Sequence, residues 1–200
     1  MASDFTSVYQ FKITLDEIEP PVWRRIHVPR SFTFWDLHVA IQDAMGWLDY
    51  HLHEFEVFNP VTGRGDRIGI PGDEFDDWSW EPGWEIAISD YFTSSNKHAV
   101  YRYDFGDDWV HHIRLEKEVS RDNRVVYPRC IAGQRACPPE DCGGPSGYER
   151  FLEAIHDPED DEHNEYLVWV GGAFDPEAFD ADAVSFDDPK ERWKIAFEEE

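Results

Sequence analysis

The sequence predicts an α+β fold: a mixed, curved β-sheet around one helix, in a β-grasp-like element order, with an irregular, helical C-terminal part. Three observations predict it. Apolar residues alternate with period two in several short segments before residue 121. One segment, residues 33–45, instead repeats its apolar residues at spacings of three and four. Beyond residue 121 the texture changes to Cys, Pro, Gly and acidic runs. The β-grasp comparison is an analogy of element order. The expected organisation is a single domain over 1–200, with a sheet-and-helix core at 5–120 and residues 121–200 packed on it.

Residues 8–15 read VYQFKITL, where Tyr9, Phe11, Ile13 and Leu15 alternate with Gln10, Lys12 and Thr14 as in a half-buried strand. Glu19-Pro20-Pro21 breaks the chain, and residues 22–28, VWRRIHV, form a second strand in a connection compatible with a hairpin. Ser31 or Thr33 can cap the helix at 33–45, whose Phe34, Leu37, Ile41, Ala44 and Met45 share one face, and Gly46 stands where its C-terminus belongs. HLHEFEVF, residues 51–58, is a third strand ended by Asn59-Pro60. Residues 61–84 are expected to be a long loop with one short strand at 67–70, and residues 85–91 a strand or a helical turn. Residues 99–105 and 109–119 alternate around the turn Gly106-Asp107-Asp108 and form the clearest hairpin. The segment 130–147 is expected to be irregular. Helices are expected at 148–155 and 164–170, a turn or short helix at Asp175-Pro176-Glu177, and a helix or strand at 190–197.

The formal net charge is −25, from 43 acidic and 18 basic residues. Such a surface repels nucleic-acid phosphates at long range, so nucleic acid is disfavoured as a partner. The basic stretch Arg24, Arg25 and Arg30 keeps it as an alternative. Solubility, a high-salt habitat or mimicry of nucleic acid could each account for the acidity. The abundant aromatic residues supply a core despite the charge. No run of 18 apolar residues is present, so no membrane partner is expected. The N-terminus lacks the pattern of a secretion signal, and three cysteines argue against a disulfide framework. The expected location is cytoplasmic.

Several residues could carry chemistry. His51 and His53 fall on the face of Phe55 and Val57, and His111 on that of Trp109, Ile113 and Leu115. A histidine facing a core needs partners for its nitrogens or serves as a ligand or acid/base group. Asp104, Asp107 and Asp108 in YDFGDDW, and Glu140 and Asp141 in PPEDCGG, sit beside turn glycines, where carboxylates cap turns or form a cation site. These eight residues form one candidate pocket. Cys137-Pro-Pro-Glu-Asp-Cys142 has a spacing that tetrahedral zinc accepts, with Cys130, His53 and His111 as further candidate ligands of a structural zinc. Buried or free thiols are the alternative. No Walker A, GxGxxG, HExxH or GxSxG motif is present.

The segments VYQFKITLDEIEPPVWRRIHVP, FWDLHVAIQDAMGW, HLHEF, YDFGDDWVHHIRLE and YPRCIAGQRACPPEDCGGPSGYERFLEAI occur in order over 8–155, with a weaker extension through FDPEAFD. In this combination the chain resembles the plasmid pRi open-reading-frame-three-like family, often labelled insertion-element passenger TnpR. The resemblance implies a prokaryotic, intracellular α+β protein found on plasmids, mobile elements and chromosomes. It also implies that the Cys142 thiol is not a strict requirement. It brings no established activity, and the serine-recombinase pattern that the TnpR label suggests is absent.

The leading expectation is a non-enzymatic binding or protein-interaction module, with another protein as partner. It rests on the missing catalytic motifs and on Trp47, Trp78, Trp80 and Trp84 in loops, where exposed aromatics would favour an interface. One alternative is a metal-dependent, hydrolase-like enzyme with His53, His111, Asp104 and the Cys137 loop in one pocket. A second is a nucleic-acid-associated protein.

Overall fold

The computed structural model describes residues 5–72 and 80–198. The alternating segments pair as their patterns require. Strand β1 (Ser7–Leu15) pairs antiparallel with β2 (Trp23–Pro29), in register from Val8 opposite Pro29 to Thr14 opposite Trp23, across a connection with a cis Glu19–Pro20 bond. Helix α1 (Phe34–Met45) opens on a capping box: Thr33 Oγ1 accepts from the Asp36 amide at 3.2 Å, and Asp36 Oδ2 accepts from the Thr33 amide at 2.9 Å. It stops at Gly46, whose φ of 89° a glycine adopts at no steric cost.

Strand β3 (His53–Asn59) pairs with β4 (Arg64–Gly69), β5 (Glu81–Pro82) runs parallel to β4, and α2 (Ile88–Tyr91) is a single turn. β6 (His98–Tyr103) and β7 (Trp109–Ser120) form the expected hairpin. β4 begins at Arg64, earlier than the residue pattern marks, because the Asn59 side chain accepts from the Val61 and Thr62 amides and turns the chain straight into a hairpin.

The C-terminal part corrects one expectation. Residues Arg129–Gln134 are a strand, β8, paired antiparallel with β2. Of its residues only Cys130 is buried, and its register slips between Arg25 and Ile26, so no alternation marks it. α3 (Gly144–His156) starts before Tyr148, on a proline in its first turn. α4 (His163–Trp169), a 3-10 turn at Ala181–Ala183 and α5 (Pro189–Phe197) complete the fold.

The sheet order is β5-β4-β3-β6-β7-β1-β2-β8, mixed because only the β4/β5 pair is parallel. One face buries Phe11, Ile13, Ile26, Phe55, Tyr101, Ile113 and Leu115 against Phe34, Leu37, Ile41 and Ala44 of α1. Each large apolar side chain removed from water there contributes about 1.5–3 kcal/mol. Arg24 is drawn into the core as well. It is 2% exposed, its Nε donates to the Ala44 carbonyl, its Nη1 to those of Trp23 and Gln134, and its guanidinium lies 3.9 Å from the Phe179 ring centroid.

A carboxylate and histidine site at the end of the sheet

Six of the eight candidate pocket residues meet where β3 begins and β6 ends. Asp104 follows β6 directly, with a φ of 55° that brings its chain back over Leu52, whose carbonyl accepts from the Asp104 amide. Its Oδ1 accepts from the Gly106 amide at 2.9 Å, fixing the carboxylate within its own turn. His51 precedes β3, and its ring meets the edge of the Tyr103 ring with centroids 5.8 Å apart. Asp141 arrives from the loop between β8 and α3, also at positive φ. Together these put His51 Nε2 at 2.9 Å from Asp141 Oδ1 and 3.6 Å from Asp104 Oδ2. The Asp104 side chain is 11% exposed, His51 32% and Asp141 63%, so the group opens to solvent through Asp141.

The other three carboxylates hold the frame. Glu140 accepts from the Tyr103 hydroxyl and, at 2.7 Å, from the Leu48 amide, tying the loop after α1 to the loop after β8. Its proximity and burial push the Tyr103 phenol well above its usual range, desolvation being the larger cause. Asp107 Oδ2 accepts from the Gly143 amide at 3.0 Å. Asp108 pairs with Arg102 at 3.2 Å.

Among the described residues, no Lys or Arg lies within 4 Å of the carboxylates of Asp104, Asp107, Glu140 or Asp141. His51, Asp104 and Asp141 are the group among the described residues that offers three ligand atoms within 4.8 Å of one another.

The remaining candidates lie elsewhere. His53 is inside the core, stacked on His38, with its Nδ1 unbonded; burial first, then the neighbouring His38, hold its pKa well down. His111 is fully buried, edge-on to the Trp47 ring, with neither nitrogen hydrogen-bonded, and desolvation lowers it to about 3. Cys130 donates its thiol toward the carbonyls of Arg25 and Ala132. Burial pushes the Cys137 and Cys142 thiols up to about 12. No three of Cys130, Cys137, Cys142, His53 and His111 present ligand atoms together.

The sequence reading missed His38 and Asp49. His38 Nδ1 lies 2.8 Å from the Tyr101 hydroxyl, and its Nε2 lies 2.9 Å from Asp49 Oδ1, which also faces Arg192 through Oδ2 at 3.3 Å. A histidine among Phe34, Leu37 and Ile41 on the helix was the available signal for this network.

The tryptophan expectation is corrected. Trp47 and Trp80 are buried, and Trp84 packs on Trp193 and Phe197, because aromatic area is worth more in the core than at the surface. Trp78 lies outside the described residues. Within the stretch Arg24, Arg25 and Arg30, Arg24 is internal, Arg25 is paired with Glu116 at 2.6 Å, and Arg30 donates to the Tyr9 hydroxyl at 3.0 Å.

No helix is long and apolar enough to cross a membrane among the described residues. The family described as plasmid pRiA4b ORF-3-like protein matches residues 7–183. A protein of Sinorhizobium fredii (strain NBRC 101917 / NGR234), described as uncharacterized protein y4hQ, is 36% identical over 180 residues, which is 90% of this chain and 87% of that protein. The crystal structure of MM3350 from Methanosarcina mazei Go1, titled a protein of unknown function, is 50% identical. It has a TM-score of 0.85 and covers 91% of this chain and 99% of that one.

Proposed function

The chain belongs to the plasmid pRiA4b ORF-3-like family, a premise that fixes kinship and leaves function to the site, from which we propose a binding module organised around one divalent cation held by His51, Asp104 and Asp141. The carrying observation is two carboxylates drawn to one imidazole nitrogen with no Lys or Arg within 4 Å to neutralise them among the described residues. An ion with donors at about 2.1 Å sets neighbouring donors about 3.0–3.4 Å apart. The separations of 2.9 Å and 3.6 Å around His51 Nε2 lie on either side of that spacing, each within about 0.2 Å of it. One imidazole with two carboxylates suits Mn²⁺, Fe²⁺ or Zn²⁺. The binding reading is supported further by four exposed apolar residues on the same loops, Leu48, Tyr50, Leu52 and Phe105, which a partner would cover.

The test is calorimetric titration of the chelator-stripped protein with Mn²⁺ and Zn²⁺, beside Asp104→Asn and His51→Ala. One tight site per chain, weakened at least about tenfold in each variant, is the expected result. A chain with 43 acidic residues collects cations loosely everywhere. Weak, many-site binding that is unchanged in Asp104→Asn would therefore sink the proposal.

The solvent opening at Asp141 favours a second reading, metal-dependent hydrolysis. Three protein ligands leave positions for a water, whose pKa a cation lowers toward neutrality. Turnover of chromogenic phosphate or carboxylic esters by the Mn²⁺-loaded protein, lost in Asp104→Asn, would select it over binding alone.

A further inference from the structure

The face of the sheet turned away from α1 carries a row of cations. Arg25 of β2 stands opposite Lys12 of β1, Lys12 opposite Arg114 of β7, and Arg114 opposite His98 of β6. Like charges directly opposite each other on neighbouring strands repel. With 43 acidic residues against 18 basic, the chain had carboxylates in excess to interleave here. It places one, Glu116, and that group is committed: its Oε2 accepts from Arg25 Nε and from Gln10, both at 2.6 Å. Lys12 and Arg114 have no carboxylate within 4 Å among the described residues. The Lys12 ammonium rests 4.9 Å from the Trp23 ring centroid.

Beside this row the sheet forms a concavity of about 440 Å³, lined by Lys12, Thr14, His98, His112 and Arg114. Glu56 is the one carboxylate on its wall, and that carboxylate already accepts from Arg67 at 2.8 Å. Val100 supplies apolar surface. The volume falls in the range of small-molecule sites.

We infer that this concavity is a site for a small phosphate-bearing ligand of about mononucleotide size. Arg114 offers a planar fork that matches a phosphate bidentately, and Lys12 offers a point charge. Thr14 and the imidazole of His98 offer further donors, while His112 already faces Asp16, its Nε2 3.3 Å from Asp16 Oδ2. A polynucleotide fits less well. It needs a basic track running beyond one site, and the remaining surface of a chain with net charge −25 opposes it. The site uses none of the residues of the proposed cation site.

The test is titration of the full chain with inorganic phosphate, pyrophosphate and AMP, followed by calorimetry and by the ring resonances of His98 and His112. Saturable shifts of both histidines are expected, with Lys12→Gln and Arg114→Gln each weakening binding about tenfold or more. Both variants should also keep or raise the unfolding temperature, because each relieves repulsion along the row, so lost binding cannot be read as lost folding. Three results overturn the inference: no saturable response to any of the three probes, unchanged affinity in Arg114→Gln, or an oligothymidylate binding far more tightly than AMP with a steep salt dependence. The last would assign the face to a polyanion instead.

Discussion

The imidazoles of His38 and His53 lie face to face inside the core, centroids 3.5 Å apart and planes 9° from parallel. His38 has Tyr101 and Asp49 at its two nitrogens, whereas the Nδ1 of His53 has no partner. Burial first, and then the neighbouring His38, hold the uncompensated ring of His53 neutral.

Acid should therefore loosen the fold before most carboxylates titrate. An unfolded histidine takes up its proton near pH 6.5, while folded His111 resists until about 3, and His53 is likewise held down. Both folded pKa values are lowered, so the unfolded chain binds more protons below pH 6.5. Stability is then full above that pH and falls as pH drops below it, by about 1.4 kcal/mol per pH unit for each such histidine. Denaturant midpoints between about pH 7 and pH 5 should show that slope. His111→Leu should make it shallower by one proton. An identical slope in that variant would mean that His111 is already charged in the fold.

Arg192 fastens the C-terminal helix. Its guanidinium meets Asp43 at 2.9 Å, Asp187 at 2.7 Å and Asp49 at 3.3 Å, and the carboxylates of Asp43 and Asp49 are themselves mostly buried. Arg192→Ala leaves those two without their cation, at a cost of about 1–3 kcal/mol. A lowered unfolding temperature with earlier proteolysis near residues 189–197 is the expected outcome. Cleavage unchanged there would place the fastening elsewhere, for example on the bond from Trp35 Nε1 to the Pro189 carbonyl.

How far this was legible from sequence depends on where the information sits. β1, α1 and the β6/β7 hairpin each bury one face, so Phe11 and Ile13, Phe34 and Leu37, and Tyr101 and Ile113 wrote their own periodicity. β8 buries one residue and owes its form to pairing with β2, a fact of tertiary structure. Asp104 and Asp141 could be named as turn carboxylates. Their meeting with His51 could not, since His51 and Asp141 are 90 positions apart and the bulk of the fold decides that distance. His53 and His111 were readable as core-facing, but whether such a ring is a ligand or merely enclosed turns on neighbours from other elements, here His38 and Trp47.

Gly144 joins the hairpin turn to α3. It has a φ of 71°, and a Cβ there would stand 2.3 Å from the Asp107 carbonyl oxygen, which is backbone and cannot swing aside. Gly144→Ala should cost at least about 1–3 kcal/mol in strain. It should also displace Asp107 from the Gly143 amide and so perturb cation binding at Asp104. Gly171→Ala is the control, since that glycine also has positive φ but no atom within 4 Å of a Cβ. Equal losses in the two variants would reduce the effect at Gly144 to backbone conformation alone.

The cysteines divide the metal question cleanly. Zinc bound by Cys137 and Cys142 would hold both sulfurs as thiolates, whereas without a metal burial raises both thiols to about 12, with the Arg24 charge only partly offsetting this at Cys137. Near neutral pH fewer than about one in a thousand would be ionised, and alkylation proceeds through the thiolate. The folded protein should therefore resist iodoacetamide at all three cysteines until denaturant is added, and chelators should not change that. Cys137→Ser should leave cation affinity at His51, Asp104 and Asp141 unaltered. If chelation instead exposed Cys137 and Cys142 to rapid labelling, a metal would be holding those sulfurs, and the cation would belong to the cysteine loop rather than to the end of the sheet.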